Sequence, residues 1–502
     1  MSSLGYQAIY HIFNEQPGTV CERAFLPDPD EMKLYEKSGD TLVSIESERP
    51  LSDFDVIAFS VSFEPDFINI PRIMKLARIP VISSERDESL PLVIGGGAAL
   101  FINPEPVADF FDIIAIGEGE KIVPELTRLL MGCSSRPRNE IMEAASSIDG
   151  AYIPSADHKI PVKRVCSPPD TPPQCSVIIT DETEFGNMYL VEVSRGCPRG
   201  CRFCVAGFAW QPFRQHPVAG LKASCLEGLK HRKTIGLVGA AVSDHPDIEE
   251  LCEFIVDNGG SPSLSSLRID RITPSLLKLL AKSGHRTLSL APEGPSQRMR
   301  DLVRKNLNAL QVVEAAGMVA SSGILNLRLY FIIGLPGETD QDLDEMVSLV
   351  SDVRERFVAQ SKVHGRLGEI TLSVNPFIPK PFTPLQWAPF CPLTELKKKA
   401  AFLEKRLRPF SNVRLKMEDL HGALLQALIS KGDRHISTLI IKMSEGINLR
   451  KASRIMGINP EEIASKRQSI DSRLPWEVIC MPERERLLNE YTAAMKVAGV
   501  EP

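Results

Sequence analysis

The sequence has no apolar run near the ~18–20 residues that a membrane-spanning helix needs. Its opening, MSSLGYQAIYHIFNEQ, lacks the basic-then-apolar layout of a signal peptide. Both absences point to a cytoplasmic protein with no membrane partner. There is no sequence-level repeat and no paired-cysteine framework. Eleven cysteines is an odd number, and eight stand alone: Cys21, Cys133, Cys166, Cys175, Cys225, Cys252, Cys391 and Cys480. In a reducing compartment such residues act as small buried hydrophobes.

What is present is a chain of 502 residues, 43% hydrophobic and 24% charged. That is the composition of a soluble globular protein, too long for one core, so two to four domains are expected. The net charge of −6 is unevenly spread. Residues 391–502 hold 20 Lys and Arg against 14 Asp and Glu. A mildly basic tail suits an anionic partner.

Three patterned regions separate along the chain. Over 1–131, strand-like runs DVIAFSVSF (55–63), PLVIGGG (91–97) and DIIAIGEGE (112–120) alternate with helical stretches at 68–77, 104–110 and 121–131. This alternation predicts an α/β domain with a doubly wound parallel sheet. Residues 132–186, with CSPPDTPPQC (166–175), read as a linker.

Over 187–390 the alternation resumes. The expected strands are YLVEVS (189–194), KTIGLVG (233–239), SSLRID (265–270), TLSLA (287–291), LNLRLYFIIG (325–334) and EITLSVN (369–375). Amphipathic helices intervene, several ending at Gly. Six such units predict a partial (β/α)6 barrel. Residues 391–502 read as a helical region.

Immediately after the first central strand stands SRGCPRGCRFCVAGF, with Cys197, Cys201 and Cys204 in C-x3-C-x2-C spacing. Structural zinc takes four closed ligands, and no fourth Cys or His follows at useful spacing. Ferredoxin clusters also take four thiolates. Three thiolates on a 4Fe–4S cubane leave one iron open to bind and reduce a ligand. The alternatives are a zinc knuckle or three unpaired core cysteines. Gly196 and Gly200 let the backbone wrap closely, and Arg199 and Arg202 either offset an anionic cluster or are solvated.

C-x3-C-x-aromatic-C, here ending Phe203–Cys204, resembles the signature of the radical S-adenosylmethionine (SAM) superfamily, and the likeness extends over 187–390. The resemblance implies a radical SAM enzyme whose open iron chelates SAM. One-electron reduction then yields a 5′-deoxyadenosyl radical, with the protein orienting the cofactors and excluding solvent.

The resemblance also implies SAM contacts at the carboxyl ends of the strands. Phe203 lies beside the adenine. Gly239, Ala240, Ala241 and Ser243 in GAAVSD stand where the family has a small-residue motif, although the Gly-Gly-Glu form is absent. Arg268 partners the SAM carboxylate and Asp270 a hydroxyl. Glu293 and Arg298 in APEGPSQR are polar candidates, and Gly334 permits close approach of the adenine. The segment NPFIPKPFTPLQWAPF (375–390) is expected in a substrate-facing or lid role, with plain linker packing as the alternative.

Residues 1–131 resemble the cobalamin-binding domain fused to many radical SAM enzymes, through FSVSFEPDFIN, IGGGAALFINPEPVADFFD and IGEGE. Ser60, Ser62, Gly95, Gly96 and Gly97 are the positional equivalents of the corrin contacts. The D-x-H-x-x-G motif is missing. Cobalamin is therefore bound without a protein His ligand, or the domain has lost it. The family implies a strand upstream of MSSLG, so either Met1 is internal to a longer product or the sheet lacks that strand.

As a whole the chain resembles uncharacterised radical SAM proteins with this N-terminal domain, whose tails carry elements like ISKGDRHI and LPWEVI. Cofactors are a 4Fe–4S cluster, SAM and, on that reading of the N-terminal domain, cobalamin. Cobalamin would make methyl transfer to an unactivated carbon the natural reaction. A flavodoxin or ferredoxin is expected as electron donor, with the substrate unknown. The alternative readings are an RNA-modifying methyl- or methylthiotransferase, with RNA as partner, and a non-enzymatic iron–sulfur scaffold or sensor.

Overall fold

The computed structural model describes residues 3–156, 160–264, 267–480 and 483–501. Strands β1 (Val56–Ser60), β2 (Leu92–Gly96) and β3 (Ile113–Ala115) pair in parallel in that order. Strand β4 (Ala151–Tyr152) closes the far edge antiparallel to β3. The helices Asn69–Leu76 and Gly119–Leu130 and a 3-10 turn at Glu105–Phe110 lie where the alternation predicts them. The segment expected as a linker starts with structure instead. The helix Arg138–Ala145 and β4 complete the N-terminal sheet, and β5 (Val162–Lys163) pairs with a strand from the far end of the chain. The Pro-rich run that follows lies along an edge of the central sheet, the Ser176 amide donating to Leu190 and the Glu192 amide to Gln174. It covers backbone groups that would otherwise form an open strand edge.

The central sheet starts with β6 (Met188–Glu192), followed by a short hairpin of β7 (Ser194–Arg195) and β8 (Arg214–Gln215). Strands β9 (Thr234–Val238) and β10 (Ser261–Leu264) join β6 in a three-stranded parallel sheet. Strands β11 (Thr287–Glu293), β12 (Asn326–Ile333), β13 (Glu369–Pro376) and β14 (Val413–Met417) form a four-stranded parallel one. A parallel bridge between Leu267 and Leu290 links the two into one open arc. The third expected strand is thus displaced. It runs over Ser261–Leu264, and Ile269–Arg271 is a 3-10 turn, while Ser265 and Ser266 of the expected strand lie outside the described residues.

Strand β14 is a further member, inside the region expected to be helical. Its pattern VRLKM alternates half-buried and exposed positions, as a one-faced strand must. The rest of the tail is mostly helical, apart from β15 (Ile479–Cys480), the partner of β5.

Alternation sets the two faces of the arc. On β12 and β13, Leu327, Leu329, Phe331, Ile333, Ile370, Leu372 and Val374 are buried in one core with residues of the helices Ala309–Ser321 and Asp340–Ser361. A second core joins the N-terminal sheet, residues 377–388 and the C-terminal helices. Buried polar ties cross it. Asn103 Nδ2 donates to the Ser430 and Gly432 carbonyls at 3.1 and 2.9 Å. Arg434 reaches Glu105 at 3.0 Å and the Tyr152 hydroxyl at 2.7 Å. The element ISKGDRHI therefore fastens the tail to the N-terminal domain.

From Phe377 onward the segment 375–390 is core rather than lid, residues 377–388 in the second core and Phe390 in the first. Phe377, Trp387 and Phe390 are at most 2% exposed, and the Leu385 amide donates to the Arg202 carbonyl. Its prolines and aromatics are packing material.

Candidate cluster and cofactor site

The β7–β8 hairpin fixes both ends of the cysteine loop. Gly196 turns with φ 74°, and a side chain there would strike the Trp210 carbonyl. Gln211 staples the loop, its Nε2 donating to the Cys197 and Gly207 carbonyls at 2.8 and 2.9 Å while its Oε1 accepts from the Phe213 amide. Within the loop the Cys204 amide donates to Cys201, and the Arg202 amide to Val303. The Arg199 carbonyl occupies the space where a side chain on Gly207 would sit. Gly207→Ala is therefore expected to lower iron content on reconstitution severalfold while leaving far-ultraviolet circular dichroism unchanged. Equal iron loading in the two proteins would show that the loop tolerates the shift.

Cys197, Cys201 and Cys204 are free and partly buried. Burial pushes the Cys204 thiol up to about 12, and the other two thiols and Glu293 add to the rise. Cys197 is raised by burial and by the charges of Cys201 and Asp244. The thiols thus share one small region, and metal uptake there must expel their protons. Among the described residues no three His, Cys, Asp or Glu side chains converge tightly enough for a single ion. A structural zinc site takes four closed ligands, whereas three thiols on one loop suit a cluster that leaves one metal corner open.

The neighbouring strand ends supply charge. Arg199 pairs with Asp244, which is 2% exposed and also takes Arg271 at 3.3 Å. Arg268 grips Asp270 with two bonds of 3.0 Å, and its amide donates to Ser243 Oγ at 3.2 Å. Three guanidinium groups thus meet two carboxylates beside Cys197. Arg202 is paired too, with Glu490 at 2.8 Å.

Gly239 is required because a side chain would lie 2.8 Å from Ser194 Oγ, a buried hydroxyl with no hydrogen-bond partner among the described residues. Ala240 is exposed, Ala241 buried and Phe203 half-buried. Glu293 sits at a bulge at the end of β11 with φ 67° and meets Lys305 at 3.3 Å. Gly334 turns toward the helix Leu393–Leu407, since a side chain would lie 2.8 Å from Cys391 Cβ. Arg298 is directed away, bonding the Gly337 and Ala498 carbonyls and Asp342.

In the N-terminal sheet Ser60 and Ser62 are exposed at the carboxyl end of β1, where α/β sheets seat their ligands. The glycine turn is packed by the chain itself. Leu100 and Phe111 fill the space beside Gly95, the Val61 backbone that beside Gly97, and Ala115 lies near Gly96.

One group of residues escaped sequence reasoning. The carboxylates of the run IGEGE hold the cysteine hairpin. Glu118 pairs with Arg164 and Arg195 at 3.0 Å each and with Arg214, and accepts from the Ser167 amide. Arg195, two residues before Cys197, also binds Glu120 and, at 2.7 Å, Glu192. Burial works to raise the Glu118 pKa, but the Arg214 and Ser167 hydrogen bonds and the arginine charges outweigh it and hold the carboxyl at about 2.

Comparison with known proteins places these features in a family. Residues 5–154 match the family described as "Radical SAM proteins, N-terminal", and residues 191–350 match "Radical SAM superfamily". An uncharacterised protein of Methanocaldococcus jannaschii is 29% identical over 391 residues, 77% of this chain and 80% of that protein. A tRNA-2-methylthio-N(6)-dimethylallyladenosine synthase of Acidovorax sp. is 23% identical over 253 residues, 44% of this chain and 56% of its own length. The solved structure of the cobalamin-dependent S-adenosylmethionine radical enzyme OxsB, with aqua-cobalamin and S-adenosylmethionine bound, has a similar fold. It aligns with TM-score 0.52 and 13% identity over 99% of this chain and 76% of that one.

Proposed function

The chain is a radical SAM enzyme, matched over both its N-terminal and its central region, and from that premise we propose that Cys197, Cys201 and Cys204 hold the 4Fe–4S cluster at which SAM is cleaved. The observation that carries this is three free thiols in C-x3-C-x2-C spacing on one braced loop at the carboxyl end of the first central strand. When bound, the cluster and SAM supply reductive carbon–sulfur cleavage and a radical that abstracts hydrogen from the substrate.

The chain's own part is to hold and orient. Surplus positive charge from Arg199, Arg268 and Arg271 suits the SAM carboxylate. Gly239, Ala240, Ala241 and Ser243 line the turn after β9. Glu293 pairs with Lys305 and adds negative charge near Cys204, Phe203 flanks the third ligand, and Gly334 shapes the turn after β12. A flavodoxin or ferredoxin is the natural reductant.

Ser60 and Ser62, exposed at the end of β1, would make the contacts to cobalamin, with the turn Gly95–Gly97 offering its backbone because the chain itself packs around it; the fold likeness to a cobalamin-dependent enzyme favours cobalamin as the ligand. With cobalamin bound, methyl transfer is the favoured reaction. A second reading, RNA modification, is favoured by the similarity to tRNA methylthiolating enzymes. It predicts RNA binding that weakens steeply with salt.

One experiment tests the main reading. Anaerobically reconstituted protein, reduced with dithionite in the presence of SAM, should release 5′-deoxyadenosine, and mass spectrometry of the same sample should report any bound corrinoid. Protein that takes up zinc instead, or releases no nucleoside, would refute it.

A further inference from the structure

The face of the central sheet that turns away from its helices is polar. Paired positions put Ser289, Arg328, Thr371 and Arg414 in one row across β11–β14, and Tyr330, Ser373 and Lys416 in the next. Ile332 and Asn375 follow nearer the carboxyl ends. Parallel register places all of these on one face, opposite the apolar residues that meet the helices.

The charges on this face do not cancel. Glu293 is taken by Lys305, and Arg414 by Glu369 at 3.3 Å. Arg328 and Lys416 have no carboxylate among the described residues, and Arg328 Nε is buried without any hydrogen-bond partner. The side chains of Tyr330, Thr371, Ser373 and Asn375 are half-buried, and none donates or accepts a hydrogen bond within the described residues. Solvent can meet half-buried hydroxyl and amide groups, but a buried guanidinium nitrogen without a partner and an unpaired lysine on the same face leave surplus positive charge that suits an anionic ligand.

We propose that this face seats the substrate and that the substrate is a small phosphorylated molecule, its phosphoryl oxygens accepting from Arg328, Lys416 and the Tyr330 hydroxyl. The inference rests on the radical SAM reading for the chemistry and adds the substrate class. Arg328 and Lys416 stand two strands and two residues apart, about 12 Å at the backbone, a gap that two long side chains span to one phosphoryl or diphosphoryl group. Guanidinium and hydroxyl donors together match the several acceptor oxygens of a phosphoryl better than the two of a carboxylate. Tyr330 lies three residues below the carboxyl end of β12, again about 10 Å. An anchored phosphoryl group therefore leaves the rest of the molecule rising toward Glu293 and the cysteine loop. A polymer backbone lying across the mouth would not reach down to these groups.

The test uses the full chain with its cluster reconstituted, inorganic pyrophosphate as probe and calorimetry as readout. Wild-type protein should bind pyrophosphate, and the double variant Arg328→Met/Lys416→Met should bind it about a hundredfold more weakly, the loss of two charged contacts at roughly tenfold each. Lys416→Met, at an exposed position, should lose part of the affinity without disturbing the fold, and Arg328→Lys should keep most of it. SAM titration and the brown absorbance report on the cluster independently and should not change in these variants. Three outcomes would overturn the proposal: no binding of pyrophosphate by wild type, equal binding by the double variant, or a short single-stranded RNA that binds without competition from pyrophosphate. Failure of SAM cleavage with pyrophosphate binding intact would count against the radical SAM chemistry alone.

Discussion

Alanine at any one of Cys197, Cys201 or Cys204 is expected to reduce cluster content and 5′-deoxyadenosine release to background. The loop offers three thiols and no fourth side chain to replace one that is lost, and each thiol is set by a separate brace. Gln211 holds the Cys197 carbonyl, the Cys204 amide bonds to Cys201, and the Arg202 amide bonds to Val303. The rest of the protein should fold as before, because all three residues lie on one surface loop and are only partly buried. The control is Cys480, which is exposed on β15, where alanine should leave iron, colour and turnover unchanged. Iron and sulfide analysis of the four proteins after anaerobic reconstitution separates the cases. A Cys204→Ala protein that keeps the colour and cleaves SAM would remove the basis for the ligand assignment.

The largest effect away from the thiols is expected at Glu118. Its carboxylate satisfies Arg164, Arg195 and Arg214 at once, and it is 9% exposed, so solvent offers little substitute. Breaking a buried ion pair from one side leaves uncompensated charge and costs about 3–5 kcal/mol. Glu118→Ala should therefore lower the unfolding midpoint markedly and loosen the hairpin that carries Cys197, so that the cluster is lost on gel filtration.

The pH dependence identifies the cause. The carboxyl pKa falls from 4.5 to about 2 on folding, worth about 3 kcal/mol. A depressed carboxyl stabilises the fold fully above the unfolded value and progressively less as the pH drops toward the folded one. The stability gap between wild type and Glu118→Ala should therefore be constant near neutrality and narrow between about pH 5 and pH 2. Urea titrations at neutral and acid pH measure it, and a gap that stays constant across that range would assign the loss to packing instead.

The parts of the molecule that could be read in the sequence are those with local signatures. The cysteine spacing, and the βα alternation behind β6, β9, β11, β12 and β13, each lie within a dozen residues. Strand β10 was misplaced because Pro262 sits inside it, and a proline argues against a paired strand. It is tolerated here because, among the described residues, the next strand, β11, meets this segment through the bridge at Leu267.

Strand β14 carries a plain alternation, but VRLKM is short and lies between two strongly helical runs. The Glu118–Arg195 contact joins residues 77 positions apart, and neither residue has a local feature that names its partner. The same holds for the polar inner face. Arg328 and Lys416 look like ordinary strand charges until the register puts them on one face in neighbouring rows.

The burial of residues 375–390 bears on how molecules enter and leave. Swinging this strap outward would expose Phe377, Phe382, Leu385, Trp387 and Phe390, all now at most 4% exposed. At roughly 2 kcal/mol for each large apolar side chain, that movement costs on the order of 10 kcal/mol, about the whole stability of a domain. Traffic to the cluster must therefore run past the strap rather than under it, and each turnover can be completed with this part of the framework standing still.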